Sequence, residues 1–284
     1  MRVAILGSSG QIGAYLTTYL REKGHDVDEV DVANGPQYDL RDTLTTKVDL
    51  IIRNADFVFF LAFDVGGSRY LKKYQHTFDF INNNTRLMAY TFSLLKKYRK
   101  RFVFASSQMS NMSHSPYGVM KRVGEMHTKA LNGLIVKFWN VYGIENDMDK
   151  AHVITDFINK GFDEGDFEML TDGTEERQFL YAEDCCEALE TVMNSYTDFK
   201  SDDPLHITSF HSNSIREIAD IIQGQFQLIG RSVKIKAGLA KDSVQMDKRN
   251  EADNYILGWW IPNTTIDKGI AKVFNAMKTQ RGIE

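Results

Sequence analysis

The spacing of apolar positions changes from segment to segment along the chain. Short, nearly continuous apolar runs at Arg2–Leu6 and at residues 57–62, 102–106 and 134–139 have the length of buried strands, and residues 26–31 read as a further strand. Between them a 3.6-residue period predicts helices over residues 11–23, 83–98 and 117–130. Strands alternating with helices make βαβ units, so the expected fold class is α/β, a Rossmann-type doubly wound parallel sheet. Past Gly143 the rhythm weakens. Helices over residues 152–160, 182–194 and 215–223 and a short strand over 167–170 predict a smaller mixed C-terminal lobe, with residues 195–204 as a surface loop. The expected division is a Rossmann domain over residues 1–143 and a second lobe over 144–284, interleaved as one unit.

Composition adds limits. With 284 residues, 43% of them hydrophobic and 25% charged, the chain has ample material for a core. A net charge of −4 is too mild to call for nucleic acid or an anionic membrane surface as partner. The one basic cluster, Lys96, Lys97, Arg99, Lys100 and Arg101, ends a predicted helix, where cations are favoured by the helix dipole. Cys185 and Cys186 are adjacent within a predicted helix, a placement that argues against a disulfide framework and for a reducing, cytoplasmic setting. The first strand leads at once into a glycine-rich turn, and no apolar run is long enough to span a bilayer. Neither a leader nor a membrane anchor is therefore expected, and no metal-ligand spacing is seen.

Two constellations carry chemistry. Gly7, Gly10 and Gly13 stand three apart, after a strand and at the opening of a helix, with Ser9, Gln11 and Ile12 between them. Glycines there permit a tight turn and close backbone approach, and a helix N-terminus attracts a pyrophosphate. Asp31 follows Gly13 by 18 residues, where a carboxylate can accept hydrogen bonds from a ribose diol and repel a 2′-phosphate. The pair predicts NAD, in preference to NADP, with Asp39 and Leu40 near the adenine. The second constellation is Tyr117 and Lys121, four apart on one helix face, preceded by Ser106 and Ser107 at the end of a predicted strand. A nearby ammonium favours the phenolate, making Tyr117 a candidate general base, with Lys121 also able to hold the nicotinamide ribose and Ser107 able to bond the reacting oxygen.

These residues, with Asn140-Val141-Tyr142-Gly143, the run from Arg177 to Asp184, and Leu257-Gly258-Trp259-Trp260-Ile261-Pro262, resemble the extended short-chain dehydrogenase/reductases over nearly the whole chain. The resemblance implies an NAD-dependent enzyme acting on a nucleotide-diphosphate sugar, and a homodimer that pairs helices into a bundle. It also implies Leu61 and Ala62 beside the cofactor, and Asn140, Arg177 and Arg249 on the substrate diphosphate. Leu61 to Gly67, Asn83-Asn84-Thr85, Lys150-Ala151 and Phe167-Glu168-Met169 are similar to the GDP-mannose 3,5-epimerase branch, which implies a GDP-linked sugar, Gly66 and Gly67 at the substrate, and Lys150 as a proton carrier. That branch places a cysteine two residues after the catalytic serine. Here the position is Met109, whose thioether has no proton to give. His114 and His152 are candidate replacements, and Met109 is expected to shape the sugar pocket. The leading expectation is an epimerase working through a transient 4-keto sugar. The alternatives are a net C4 dehydrogenase or ketoreductase, for which Ser107, Tyr117 and Lys121 suffice, and a non-catalytic NAD-binding sensor or scaffold.

Overall fold

A computed structural model describes residues 1–44, 46–145, 147–244 and 250–283. In chain order it begins with β1 (Arg2–Leu6), α1 (Gln11–Glu22), β2 (Asp26–Val30), α2 (Thr46–Asn54), β3 (Phe57–Phe60), α3 (Ser68–Tyr74), α4 (Phe78–Tyr98), β4 (Arg101–Ser107), α5 (Pro116–Ala130) and β5 (Leu134–Phe138). There follow β6 (Asn140–Tyr142), α6 (Val153–Asp163), β7 (Phe167–Glu168), β8 (Glu176–Tyr181), α7 (Ala182–Asn194), β9 (Leu205–Ile207), β10 (Ser212–Ser214), α8 (Ile215–Leu228), β11 (Ile235–Lys236) and α9 (Ile266–Gln280).

The main sheet is parallel, in the order β2-β1-β3-β4-β5-β9. It winds outward from β1 in both directions, so the fold is the expected Rossmann-type α/β arrangement. Its inner strands β1, β3, β4 and β5 are mainly apolar on both faces because helices cover both, while the edge strand β2 carries Asp26, Asp28 and Glu29. On one face Val3, Ile5, Leu16 and Leu20 pack with Cys185, Cys186 and Leu189 of α7. On the other, Ala4, Leu6, Val58 and Phe60 pack with Leu87, Met88 and Phe92 of α4. Burying each large side chain of this kind contributes about 1.5–3 kcal/mol.

A smaller mixed layer lies beyond β5. It contains the three-stranded sheet β10-β8-β6, the parallel pair β7–β11, and a core in which Phe162, Phe226 and Phe274 from α6, α8 and α9 meet. Gly161 lets α6 approach this cluster, since a Cβ there would lie 2.3 Å from the Phe226 ring. The chain then returns to the first layer: α7 and β9, both past residue 143, complete one face and one edge of the main sheet.

Several elements depart from the sequence pattern. Helix α9 and strands β8 and β9 have no counterpart in it, and α8 runs to Leu228, five residues past its expected end. The stretch at residues 195–204 is more than a loop: Phe199 is buried against Tyr255 and Trp259. These strands are only three to six residues long, too short for a period to register.

Candidate active site

A cleft of 590 Å³ opens at the C-terminal ends of the main-sheet strands, where strand order reverses around β1. The glycine turn makes its floor. Gly7 has φ +91°, and a Cβ on it would lie 2.6 Å from Ala62 N; a Cβ on Gly13 would lie 2.0 Å from Gly7 O. Only glycine permits β1, α1 and the end of β3 to meet this closely. Helix α1 starts at Gly10 without a side-chain cap, so its first N–H groups face a cleft lined by Ser9, Gln11 and Ile12. Among the described residues Gln11 Nε2 is buried without a hydrogen-bond partner.

Asp31, at the end of β2, accepts from Ser9 N at 3.0 Å and Ala33 N at 2.9 Å, which fixes its carboxylate on the cleft wall. Asp39, Leu40, Leu61 and Ala62 line the same cleft. Arg41 also lines it, but its fork is spent on Asp39, with bonds of 2.9 and 2.8 Å. That bond, outweighing burial, holds the Asp39 carboxyl below its usual range. A carboxylate for the ribose diol, a cradle that any Cβ would fill and a capless helix end suit NAD, and among the described residues the arginine lining the cleft, Arg41, is already paired.

Strand β4 and helix α5 carry the candidate chemistry. Ser106, Ser107, Tyr117 and Lys121 all line the cleft. Ser115 caps α5 by accepting from Gly118 N, which starts the helix one residue before Tyr117. Gly118 is needed there, since a Cβ would meet Met109 O at 2.2 Å. Lys121 Nζ donates to Ala105 O at 2.7 Å and stands 3.7 Å from the centroid of the Phe63 ring. Burial pushes the Tyr117 phenol up to about 12, with Ser107's hydrogen bond opposing, and burial pushes Lys121 down to about 7 against the charge of Glu125. The ammonium faces a carbonyl and an aromatic face, and its Nζ lies 5.7 Å from the centroid of the tyrosine ring.

More of the lining comes from residues 138–145 and 147–152. Lys150 and Gly66 line the cleft, and Gly67 N donates to Lys150 O at 2.9 Å. Gly67 itself lines neither cavity: its lack of a side chain lets the loop lie on Ala151, whose O would be 2.5 Å from a Cβ. Lys150 Nζ is 3.9 Å from Asp64, which accepts from Tyr70 Oη at 2.5 Å. Glu145 grips His152 twice, at the backbone N (2.8 Å) and at Nδ1 (2.7 Å). Burial acts to lower the imidazole, but the Glu145 charge and bond outweigh it and the group titrates above its ordinary value.

A second cavity of 130 Å³ holds Asn140, Arg69 and Arg177 among apolar side chains that include Phe179, and His152 and Val141 line both cavities. Arg177 pairs with Asp242, and Asn140 Nδ2 donates to Gln178 O at 3.3 Å. Met109, 3% exposed, lines neither cavity and packs in an apolar cluster with Leu71, Phe80, Met112 and Tyr117. His114 is tied to Val244 O at 3.3 Å and also lines neither. Arg249 lies outside the described residues. Sequence reasoning missed Glu145, Tyr70 and Phe63. No periodicity links Glu145 to a histidine seven residues on; only the run from Leu61 to Gly67 pointed near Phe63. The basic cluster at the end of α4 is largely engaged, Lys97 with Asp49 and Lys100 with two carbonyls. Among the described residues no group of three or more His, Cys, Asp or Glu could hold a metal ion.

With sheet, glycine cradle and Ser–Tyr–Lys set in place, the class is that of the extended short-chain dehydrogenase/reductases. The chain belongs to the NAD dependent epimerase/dehydratase family, whose model matches residues 3–207. It is an enzyme of that family, with NAD as cofactor. A putative UDP-glucose 4-epimerase of Methanocaldococcus jannaschii is 30% identical over 173 residues, spanning 58% of this chain and 53% of that protein. GDP-mannose 3,5-epimerase 1 of Oryza sativa subsp. indica is 27% identical over 267 residues, spanning 78% of this chain and 68% of that protein. Among solved structures, epimerase Mth375 of Methanothermobacter thermautotrophicus superposes with a TM-score of 0.85 at 18% identity, covering 99% of this chain and 93% of that one.

Proposed function

We propose that the protein is a nucleotide-sugar epimerase that works through a transient 4-keto sugar. The observation that carries this reading is that Lys150 and His152 line the same cleft as Ser107 and Tyr117, with His152 also lining a second cavity that contains Asn140 and Arg177. NAD bound on the glycine cradle supplies a hydride acceptor and donor. With the positive nicotinamide ring and Lys121 favouring its phenolate against burial, Tyr117 would take the proton of the C4 hydroxyl, while Ser107 bonds the same oxygen and Lys121 holds the ribose. A carbonyl at C4 acidifies the adjacent C–H bonds, and Lys150 and His152 then carry protons to and from the carbon. His152 stands in for the acid that Met109 cannot supply. Arg177 and Asn140 bind the diphosphate, for which a planar guanidinium offers paired, charge-assisted bonds. GDP is the nucleotide proposed, from the likeness to the plant epimerases. The division of labour follows: cofactor binding and the Ser107, Tyr117 and Lys121 set within residues 1–143, and Lys150, His152 and most of the substrate binding within 144–284.

The second reading, a net C4 oxidoreductase, is favoured by one observation. Met109 is buried in an apolar cluster, so nothing at that position exchanges protons with a sugar. The assay that decides incubates the NAD-loaded protein with a panel of nucleotide sugars in D2O and follows mass, NMR and NAD content. An isomer with deuterium beside C4 and NAD retained supports the epimerase; a two-mass-unit change with stoichiometric NAD reduction or NADH oxidation supports the oxidoreductase.

A homodimer is also proposed. Val119, Val123 and Met126 on α5, and Phe78 and Ile81 on α4, are exposed apolar residues at helical spacing on adjoining helices. Sedimentation at increasing concentration tests it: a monomer throughout refutes it. Two buried free cysteines fit a reducing, cytoplasmic setting. No helix of the described residues is long and apolar enough to cross a membrane.

A further inference from the structure

Beneath the cleft lies a buried ionic cluster that the reaction outlined above does not use. Glu125 follows Lys121 by four residues on α5, as Lys121 follows Tyr117, so all three share one helix face. The Glu125 side chain is 1% exposed, yet it accepts from Ser106 Oγ at 2.6 Å and from Arg122 at 2.8 Å. Lys137 Nζ on β5, also buried, stands 3.4 Å from it. Burial acts to raise the carboxyl, but the Ser106 bond, the Lys137 charge and the Arg122 bond outweigh it and leave the group below the usual range. The interior therefore holds an ionised pair, an arrangement that often stabilises a fold no better than packed apolar side chains would. What such a pair adds is direction.

The direction is legible in β4. Three consecutive residues of the strand are each gripped by one of the three helix residues. Ala105 O accepts from Lys121, Ser106 Oγ donates to Glu125, and Ser107 bonds Tyr117. We propose that Glu125 is a positioning residue: held by Lys137 on β5 and Ser106 on β4, it sets the rotation and height of α5 so that Tyr117 and Lys121 meet the cleft at Ser107. The proposal rests on Ser107, Tyr117 and Lys121 being the catalytic groups, and on neither the epimerase nor the oxidoreductase reading.

Charged and titratable groups reach this face from several elements. They are Arg122 on α5 itself, Lys137 on β5, and His206 on β9 with Asp253 beside it. His206 is pushed down to about 4, by burial first and by Lys137 second, so it stays neutral near pH 7. From α4 the contact is a stacked pair, Phe92 on His127, with centroids 5.0 Å apart. Glu125 is the charged group that opposes the effect of burial on Lys121.

The test compares Glu125→Gln and Lys137→Met in the NAD-loaded protein. Lys121 is followed by NMR with 13C at the lysine Cε and assigned with Lys121→Arg. Glu125→Gln should move the Lys121 titration to lower pH, and Lys137→Met should move it to higher pH. In both, kcat for a converted nucleotide sugar should fall about ten- to a hundredfold with KM within about twofold, and Glu125→Asp should recover part of the loss. Shifts in the same direction, no shift, or an unchanged kcat would overturn the proposal. If a single variant does not fold, Glu125→Gln/Lys137→Met leaves no unpaired charge inside. It should titrate like the parent while keeping the loss in kcat, and full activity there would equally overturn the idea. The titration needs no substrate, so it stays readable even if no nucleotide sugar is converted.

Discussion

The cofactor floor and the substrate wall of the cleft are built in opposite ways. The floor is local: Gly7, Gly10, Gly13 and Asp31 come from one β1–α1–β2 unit, and its side chains contact the ligand space over an apolar base. The wall is assembled from separate segments, Asp64 to Gly66, residues 138–145 and 147–152, and it adjoins the second cavity, which holds Arg177 and Asp242. Ion pairs and forked bonds lock it together: Lys150 with Asp64, His152 with Glu145, Arg177 with Asp242. Close backbone approach on one side admits a fixed cofactor. Paired charges on the other can be exchanged for a ligand's own charges, which suits a substrate that enters and leaves.

Experiments that remove one side and spare the other sharpen this contrast. The largest effect is expected at the shared edge. Tyr117→Phe should lower kcat about a thousandfold while NAD binding, measured by fluorescence titration, stays near the parent's. Lys150→Gln should follow, with deuterium entry beside C4 slowed about a hundredfold and reduction of bound NAD by the sugar largely preserved. Loss of both steps together would instead make Lys150 a binding residue.

On the floor, Gly13→Ala should lower stability by about 1–3 kcal/mol and weaken NAD, because its Cβ would sit 2.0 Å from Gly7 O. Thermal melts with and without NAD read both effects. A fully stable variant that binds NAD normally would show the turn to be looser than described. Arg177→Lys should weaken GDP about tenfold by calorimetry, since an ammonium cannot reproduce the fork, with NAD affinity unchanged.

The smallest effect concerns pH. The His152 imidazole is raised in the folded protein, so its pairing stabilises the fold fully below the ordinary histidine value and is lost as pH rises through the folded value. The side chain is 37% exposed, so the contribution is expected to stay under about 1 kcal/mol. The gap in melting temperature between the parent and His152→Gln should therefore narrow from pH 5.5 to 8.5. A gap that widens would reverse the sign assigned to the Glu145 pairing.

Much of the floor was legible beforehand because it obeys short-range rules. The strand runs, the helix from Gln11, the glycine spacing and the Tyr117/Lys121 pair all lie within periods of two to four residues. The second lobe was legible only in pieces. Helix α7 was bounded correctly at Ala182–Asn194, but the three-residue strand β9 joins the main sheet beside β5 from nearly seventy residues away. No local signal marks such a partner.

The sequence by itself determined the fold class, the cofactor turn and the shared helix face of Tyr117 and Lys121, since each depends on residues whose spacing is local. Tertiary structure alone decided that Met109 turns into an apolar cluster, that Glu145 holds His152 at the meeting of two cavities, and that Glu125 sits beneath Lys121. Those outcomes follow from which distant segments pack together. Burial then shifts the Tyr117 phenol and the Lys121 ammonium in directions their spacing on α5 could not reveal.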